Sequence, residues 1–291
     1  MSREIHTLQV GDTTLEYTVV GKGIPILLLH GGHSGCQEVF GYERLLESGF
    51  SIITPSRAGY GRTTPVMELI QACSLYKELL DHLSIDHVHV MAISAGGPSG
   101  ILFCSLFPAK VSSFTLQCAV TKPWLTPADQ AYRAGMRIFN PNRERGTWRM
   151  LAVFSNLFPK LMFRLMASSF SNLPYSEVKQ RIDNTAIEEF RKMNNRQRSH
   201  SGFLIDLKHT QHDYSKEMAH IQAPTLIMHS KNDRSVPLSH AEYAKAYIPQ
   251  AEQCILDSWG HLIWIGKHAV EYDDALVLFL KRQEQRNLST A

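Results

Sequence analysis

Long hydrophobic runs and paired cysteines are both missing from this sequence of 291 residues. No run approaches the roughly 18 consecutive apolar residues that a membrane-spanning helix needs. The first residues, Met1 to His6, are polar and lack the apolar stretch of a signal peptide. The five cysteines are scattered without paired spacing, and a chain of this length does not need disulfides for stability. We therefore expect reduced thiols and a cytoplasmic protein.

Recognised cofactor and metal motifs are also missing. The segment Gly96-Gly97-Pro98 has neither the glycine spacing nor the later acidic residue of a dinucleotide fingerprint, and there is no phosphate-binding loop. Two histidine pairs, His87 with His89 and His209 with His212, come without a complete ligand set of known spacing. We therefore expect no cofactor and no metal.

Charge is nearly balanced overall but unevenly distributed. The formal net charge is +3, whereas residues 121–212 hold 15 Lys/Arg against 7 Asp/Glu. The basic residues of this region are dispersed and no recognition motif accompanies them, which argues against nucleic-acid binding. Such an excess of basic residues is explained if they lie on solvated helix surfaces or face an acidic layer of the same protein. The alternative is that they attract an anionic substrate or a membrane surface.

Short apolar segments set the predicted architecture, and a hydrophobic content of 44% suffices for a sizeable core. Residues 4–10 and 13–19 alternate and meet at a Gly-Asp pair, which predicts an antiparallel hairpin. The strands that follow are nearly continuous apolar runs and alternate with helical segments, which indicates a parallel sheet covered on both faces. These runs lie at residues 24–30, 50–54, 88–93, 111–117, 224–229 and 252–257, with helices at 37–48, 66–83, 95–107, 238–248 and 268–285.

Residues 121–212 lose this strand pattern and read as amphipathic helices. The most apolar of them, Met150–Phe170, contains Pro159, which should end one helix and start another. A further helix is predicted at 176–193. An all-helical insertion between two strands predicts a lid over the edge where open α/β sheets bind ligands. The apolar stripe of Met150–Phe170 can face that pocket, so we expect no membrane association.

Residues 87–107 combine an apolar strand, a turn of small residues carrying one hydroxyl, and a helix. Such a turn lifts Ser94 to the end of a sheet and aims helix N-terminal amides at whatever the serine attacks. The segment Ala92-Ile93-Ser94-Ala95-Gly96 resembles the nucleophile elbow, G-x-S-x-G, of the α/β-hydrolase family. Ala92 replaces the first glycine, and we expect it to fit with slightly tighter contact.

The resemblance implies the α/β-hydrolase fold: a mostly parallel central sheet with helices on both faces and an inserted helical lid. Residues 1–120 and 213–291 then form the core, and residues 121–212 form the lid.

A serine nucleophile needs a base, and the base needs an orienting acid. The family order is serine, acid, histidine. Asp233 follows a predicted buried strand and is our candidate acid, whereas Asp257 ranks second because it lies only four residues before the histidine. His261 follows the last predicted strand in a Gly-His pair and is our candidate base.

The oxyanion of acyl transfer needs two N–H donors. We assign one to the backbone of Ala95 and the other to Gly32, with His33 as the fallback, because His30–His33 matches the oxyanion loop of the family. The loop Arg57–Thr63 resembles the family's loop after the next strand, without its leading aspartate, and we assign it no catalytic role.

These features predict a serine hydrolase that cleaves an ester of a small, largely apolar acid through an acyl-enzyme. A carbon–carbon bond hydrolase acting on an oxo-dienoate, an aminopeptidase and an acyltransferase remain open on the same three residues. A non-catalytic receptor for a small ligand on this scaffold is the alternative of another class. The expected partner is a small-molecule substrate, and a homodimer is possible.

Overall fold

A computed structural model of the protein describes residues 3–290, with side chains described for residues 3–286. Residues 1 and 2 lie outside the described residues. They belong to the N-terminal stretch in which we expect no signal peptide. Eight strands form one sheet: β1 (Ile5–Val10), β2 (Thr13–Val20), β3 (Ile24–Leu29), β4 (Phe50–Pro55), β5 (Val88–Ile93), β6 (Val111–Gln117), β7 (Thr225–Ser230) and β8 (Ala251–Leu256).

The strand order across the sheet is β1-β2-β4-β3-β5-β6-β7-β8. The predicted hairpin is confirmed, since β1 pairs antiparallel with β2, and β2 also pairs antiparallel with β4. All other neighbours pair in parallel. The mostly parallel α/β sheet predicted from the sequence is therefore present, and its central strands bring their carboxyl ends to one edge.

Helices cover both faces of this sheet. They are α1 (Glu43–Glu47), α2 (Leu69–His82), α3 (Gly97–Leu106), α4 (Gln130–Ile138), α5 (Glu144–Leu157), α6 (Pro159–Phe170), α7 (Tyr175–Arg181), α8 (Asn184–Arg196), α9 (Gly202–His209), α10 (Ser215–Ala219), α11 (Ser239–Tyr247) and α12 (Ala269–Thr290). Alternate residues of β3 enter opposite layers of the core, with Leu27 beneath α2 and α3 and Leu28 beneath α1 and α12. This alternation explains the continuous apolar runs, because both faces of each central strand are buried.

The predicted helix at 37–48 is too long. Only Glu43–Glu47 is helical, and Gly41 precedes it with a positive φ of +65°. A Cβ at Gly41 would lie 2.8 Å from the Cβ of Trp264, so the chain makes a tight turn there instead of continuing a helix.

The segment between β6 and β7 is helical, as predicted, and carries α4 to α10. Pro159 separates α5 from α6 in the predicted way. The prediction of a single helix at 176–193 is wrong, because the structure has two helices there, α7 and α8. Asp183 causes this break, because its side chain accepts a hydrogen bond from the Ala186 amide at 2.8 Å and caps the second helix.

Two further observations concern the cysteines and the lengths of the helices. All five cysteines are free thiols, as expected, and four of them are buried. Over the residues that the structure describes, no helix combines the length and apolar character that crossing a bilayer requires.

Candidate active site

Ser94 stands at the junction between β5 and α3. It has a left-handed φ of +52° and begins a 3-10 turn that leads directly into the helix. A Cβ at Gly96 would lie 2.3 Å from the carbonyl oxygen of Leu29, so only glycine fits at that position. The predicted strand–turn–helix geometry is therefore present, with the serine held in a conformation that non-glycine residues rarely adopt.

Ala92, which replaces the first glycine of the elbow pattern, is accommodated by a glycine from the next helix. A Cβ at Gly100 of α3 would lie only 2.5 Å from the Cβ of Ala92. The extra methyl group on the strand thus occupies the space that the glycine leaves in the helix. The sequence contained one signal of this arrangement, a glycine in a helix interior where alanine is normally favoured.

The structure brings the predicted nucleophile, base and acid together. The Nε2 atom of His261 lies 2.9 Å from the Oγ of Ser94, and its Nδ1 atom lies 2.7 Å from Oδ2 of Asp233. These residues follow β5, β7 and β8 at the carboxyl edge of the sheet, and the side chains of Asp233 and His261 are 0% and 6% exposed. Such a chain of hydrogen bonds transfers a proton from a hydroxyl to an oriented imidazole.

Asp257, the second-ranked acid, is occupied elsewhere. Its carboxylate lies 3.0 Å from Nζ of Lys231 and 3.4 Å from Arg181, and its side chain is 47% exposed. Lys231 and Asn232 donate to it and hold its pKa below the usual range. Within the described part of the chain Asp257 makes no hydrogen bond or ion pair with the His261 imidazole, so Asp233 remains the candidate acid.

Several neighbours that the sequence did not predict hold Asp233 in place. Its Oδ1 accepts the backbone N–H of Val236 at 2.9 Å. His229 Nε2 lies 3.4 Å from its Oδ2 and 2.9 Å from the Val236 carbonyl oxygen. Burial lowers the pKa of His229, so the ring is neutral and donates its Nε2 proton. Burial also raises the pKa of the neighbouring Cys118 thiol, which stays protonated.

Gly32 and Ala95, the residues predicted to supply the two oxyanion donors, are neighbours. A Cβ placed on Gly32 would lie 3.7 Å from the Cβ of Ala95, so the two residues are adjacent. Among the described residues the Gly32 amide donates no hydrogen bond, and Ala95 lies in a first helical turn, where amides have no intrahelical acceptor. The amide of His33, the fallback donor, points to the Tyr60 hydroxyl at 3.3 Å.

A buried ion pair supports this loop. The Arg57 guanidinium pairs with Asp206 of α9, with one contact at 2.8 Å, and its Nε donates to the His30 carbonyl oxygen at 2.7 Å. Burial, with the Arg57 charge nearby, lowers the pKa of His30. Neutral His30 accepts the Arg57 amide on Nε2 at 2.9 Å and donates Nδ1–H to Gly31 at 2.7 Å. The helical insertion is thereby tied to the candidate oxyanion loop, His30–His33.

Aromatic rings line the insertion side of the oxyanion loop. His33 packs against both Phe139 and Phe203, with centroid distances of 4.1 and 4.2 Å, and the two phenylalanine rings also contact each other. Ser199 Oγ contacts His33 Nδ1 at 2.8 Å and accepts the indole N–H of Trp148 at 2.7 Å. Burial lowers the pKa of His33 to about 3, so this wall is uncharged at neutral pH. The sequence did not predict it, because its members come from four separate segments.

The candidate base and acid also belong to the one group of possible metal ligands found among residues 3–286. Ligand atoms of Cys118, Asp233 and His261 lie within 4.8 Å of one another. In that group the imidazole and the carboxylate are hydrogen bonded to each other, and the thiol is protonated. These donors therefore fit proton transfer better than metal binding, and the expectation that no metal is used stays a prediction.

Comparison with known proteins agrees with this architecture. A protein of Bacillus subtilis (strain 168) named "Uncharacterized hydrolase YcgS" is 52% identical over 283 residues, covering 97% of this chain and 100% of that protein. The 2-hydroxy-6-oxononadienedioate/2-hydroxy-6-oxononatrienedioate hydrolase 2 of Pseudomonas putida is 26% identical, covering 93% of this chain and 92% of its own.

Solved structures share the fold at lower identity. An alpha/beta hydrolase fold protein from Nakamurella multipartita superimposes with a TM-score of 0.78 at 20% identity, covering 94% of this chain and 98% of that chain. The family model described as "alpha/beta hydrolase fold" matches residues 24–267. With the elbow, the sheet order and these similarities in agreement, the chain belongs to the alpha/beta hydrolase family.

Proposed function

We propose that this hydrolase cleaves an ester of an apolar acid through an acyl-enzyme formed on Ser94. The observation that carries the proposal is the unbroken hydrogen-bonded line from the Ser94 hydroxyl through His261 to Asp233. A serine hydroxyl is a poor nucleophile alone, and this arrangement supplies both the base and the group that orients it.

The proposed reaction has two halves. Ser94 Oγ attacks the carbonyl carbon of the ester while His261 Nε2 accepts the hydroxyl proton. The tetrahedral oxyanion is held by the amides of Gly32 and Ala95, each contributing about 3–4 kcal/mol to transition-state stabilisation. When the intermediate collapses, the leaving alcohol takes the proton from His261. Water then attacks the acyl-enzyme, gives its proton to the imidazole, and the acid leaves as the proton returns to Ser94.

An apolar acyl group is supported by the surroundings of the site. Phe203 borders Gly32, and the Phe170 ring stacks against the His261 imidazole with centroids 6.4 Å apart. The buried cation that supports the His30–His33 loop, Arg57, is already neutralised by Asp206 and bound to backbone carbonyls. A neutral, largely hydrophobic acyl chain therefore suits the region better than a carboxylate.

Carbon–carbon bond hydrolysis is the second candidate. Its support is that the P. putida relative and the 2-hydroxy-6-oxononadienedioate/2-hydroxy-6-oxononatrienedioate hydrolases of Escherichia coli and Cupriavidus pinatubonensis, all at 25–26% identity, align over nearly the whole chain. An oxo-dienoate diacid carries two carboxylates, and a site that binds it needs a cation for them. Arg198, which lies near the aromatic wall, is paired with Glu144 at 2.8 Å. Since both Arg57 and Arg198 are already paired with carboxylates, the charges near the site favour an ester substrate over the diacid.

A substrate panel tests the proposal. Purified wild type and Ser94→Ala are assayed with p-nitrophenyl esters of increasing chain length, a 2-hydroxy-6-oxo-dienedioate and prolyl amides, with an added alcohol to detect acyl transfer. We expect hydrolysis of the esters above all, abolished in Ser94→Ala. Preferred cleavage of the diacid or the amides, or transfer in place of hydrolysis, assigns the corresponding alternative. Saturable binding of esters without turnover assigns a receptor.

A further inference from the structure

The helices α5 and α6 present an exposed apolar ridge. Its seven side chains are between 47% and 65% exposed: Met150, Val153, Phe154, Leu157, Phe158, Leu161 and Leu165. On α5 they recur at i, i+3, i+4 and i+7, which places them on one face. The opposite face of α5 buries Trp148 and Ser155. The ridge is therefore a surface feature, and the sequence-based expectation that this stripe faces the pocket does not hold for these seven residues.

The charged residues within the segment that carries the ridge are all of one sign. Residues 145–176 contain Arg145, Arg149, Lys160 and Arg164 and no aspartate or glutamate, and all four basic residues are exposed. Glu144, just before this segment, is buried and paired with Arg198. A helix pair with a continuous apolar ridge, whose own exposed charged residues are basic, has the character of an interfacial membrane-binding element.

We propose that the α5–α6 ridge binds the surface of an anionic lipid bilayer. The apolar side chains enter the boundary between headgroups and acyl chains, and the basic residues contact anionic headgroups. Charge argues against a second copy of this chain as the occupant, since a symmetric contact opposes four basic residues to four more. Other strongly exposed apolar residues, such as Val270 and Leu278 of α12, lie outside the ridge.

Helix α6, which carries Leu161 and Leu165 of the ridge, also contacts the candidate active site. The carbonyl oxygen of Phe170, the last residue of α6, accepts the backbone N–H of His261 at 2.9 Å. The next residue, Ser171, forms a β-bridge with Asp233. A lipid surface on the ridge thus lies one helix away from the proposed base and acid. The binding proposal itself does not depend on the proposed reaction.

Vesicle sedimentation tests this inference with the full chain. Phosphatidylcholine vesicles with and without phosphatidylglycerol are mixed with wild type, Leu157→Gln/Leu165→Gln and Arg149→Gln/Lys160→Gln. Leu278→Gln and Lys281→Gln are the matched controls, since both residues are exposed and lie on α12, away from the ridge. Circular dichroism melting verifies that each variant is folded, which is expected because the substituted side chains are exposed.

We expect wild type to sediment with phosphatidylglycerol vesicles and to be released at about 0.5 M salt, where charges are screened beyond a few ångströms. Each basic residue removed should weaken partitioning about fivefold, and the double leucine variant should weaken it at least tenfold. Both controls should bind like wild type. Failure of wild type to sediment, or undiminished binding of the leucine variant, overturns the proposal. Concentration-dependent dimers in analytical ultracentrifugation that the leucine variant abolishes also overturn it, and assign the ridge to a second copy.

Discussion

Replacing Gly100 by alanine adds a methyl group 2.5 Å from the Cβ of Ala92 and 2.9 Å from a ring carbon of Phe114. Both neighbours are fully buried. Overpacking a core typically costs about 1–3 kcal/mol, and contacts this short place the cost near the upper end. Alanine is favoured over glycine in a helix interior by about 1 kcal/mol. We therefore expect Gly100→Ala to lower the free energy of unfolding by about 2 kcal/mol.

The reciprocal change is Ala92→Gly, which removes the methyl group from the strand. It loses about 0.8 kcal/mol of burial and about 0.5–1 kcal/mol of backbone entropy. In the double variant the methyl group has moved from the strand to the helix, so the short contact between residues 92 and 100 no longer exists. We expect the double variant to be about 2 kcal/mol more stable than the sum of the single changes, within the range of coupling energies between contacting residues.

Urea unfolding followed by tryptophan fluorescence measures all four proteins under identical conditions. Equal m-values ensure that the same transition is compared. Additivity to within about 0.5 kcal/mol contradicts the reasoning, because it means that the two positions do not share one space. The elbow would then accept Ala92 for some other reason.

Three further predictions concern the acid, the buried ion pair and pH. Asp233→Asn should lower kcat for the ester about 10⁴-fold with the fold intact, because an amide holds the wrong tautomer of the histidine, whereas Asp257→Asn should leave kcat unchanged. Asp206→Asn should lower the free energy of unfolding measured in urea by about 3–5 kcal/mol, because Arg57 keeps its buried charge without its counter-ion. The same change should lower kcat, because the candidate oxyanion loop loses its support. An unchanged urea midpoint contradicts this prediction. Burial lowers the pKa of His240 to about 3, below the unfolded value of about 6.5. Its contribution to stability is therefore complete above pH 6.5 and is lost as the pH falls toward 3. At pH 5 the loss of stability is about 2 kcal/mol. The free energy of unfolding should therefore change less between pH 7 and pH 5 in His240→Gln than in wild type.

The sequence predicted those features that depend on contiguous residues. The hairpin, the buried strands and the break at Pro159 each follow from periodicity or from a single backbone constraint. The convergence of Ser94, Asp233 and His261 also followed, because each residue lies within five residues of the end of a strand and parallel strands share one carboxyl edge. No pairwise contact had to be known for either result.

Features that depend on contact between distant segments were not predictable. The packing of Ala92 against Gly100 and the pairing of Arg57 with Asp206 appear only when strands, loops and the helical insertion meet. The break at Asp183 was missed because capping competes with an otherwise continuous helical pattern. Periodicity showed that Met150–Phe170 has an apolar face, but it does not determine what covers that face, and in the structure much of it is exposed.

Covalent labelling tests the central claim, attack by the Ser94 hydroxyl with His261 as base, most directly. Wild type, Ser94→Ala and His261→Ala are incubated with a fluorophosphonate, and intact mass and peptide mapping locate the adduct. The account predicts one adduct per chain on Ser94, none in Ser94→Ala, and labelling of His261→Ala slowed by several orders of magnitude, as expected when a triad base is lost. An unlabelled wild type, or an adduct on any other residue, contradicts it.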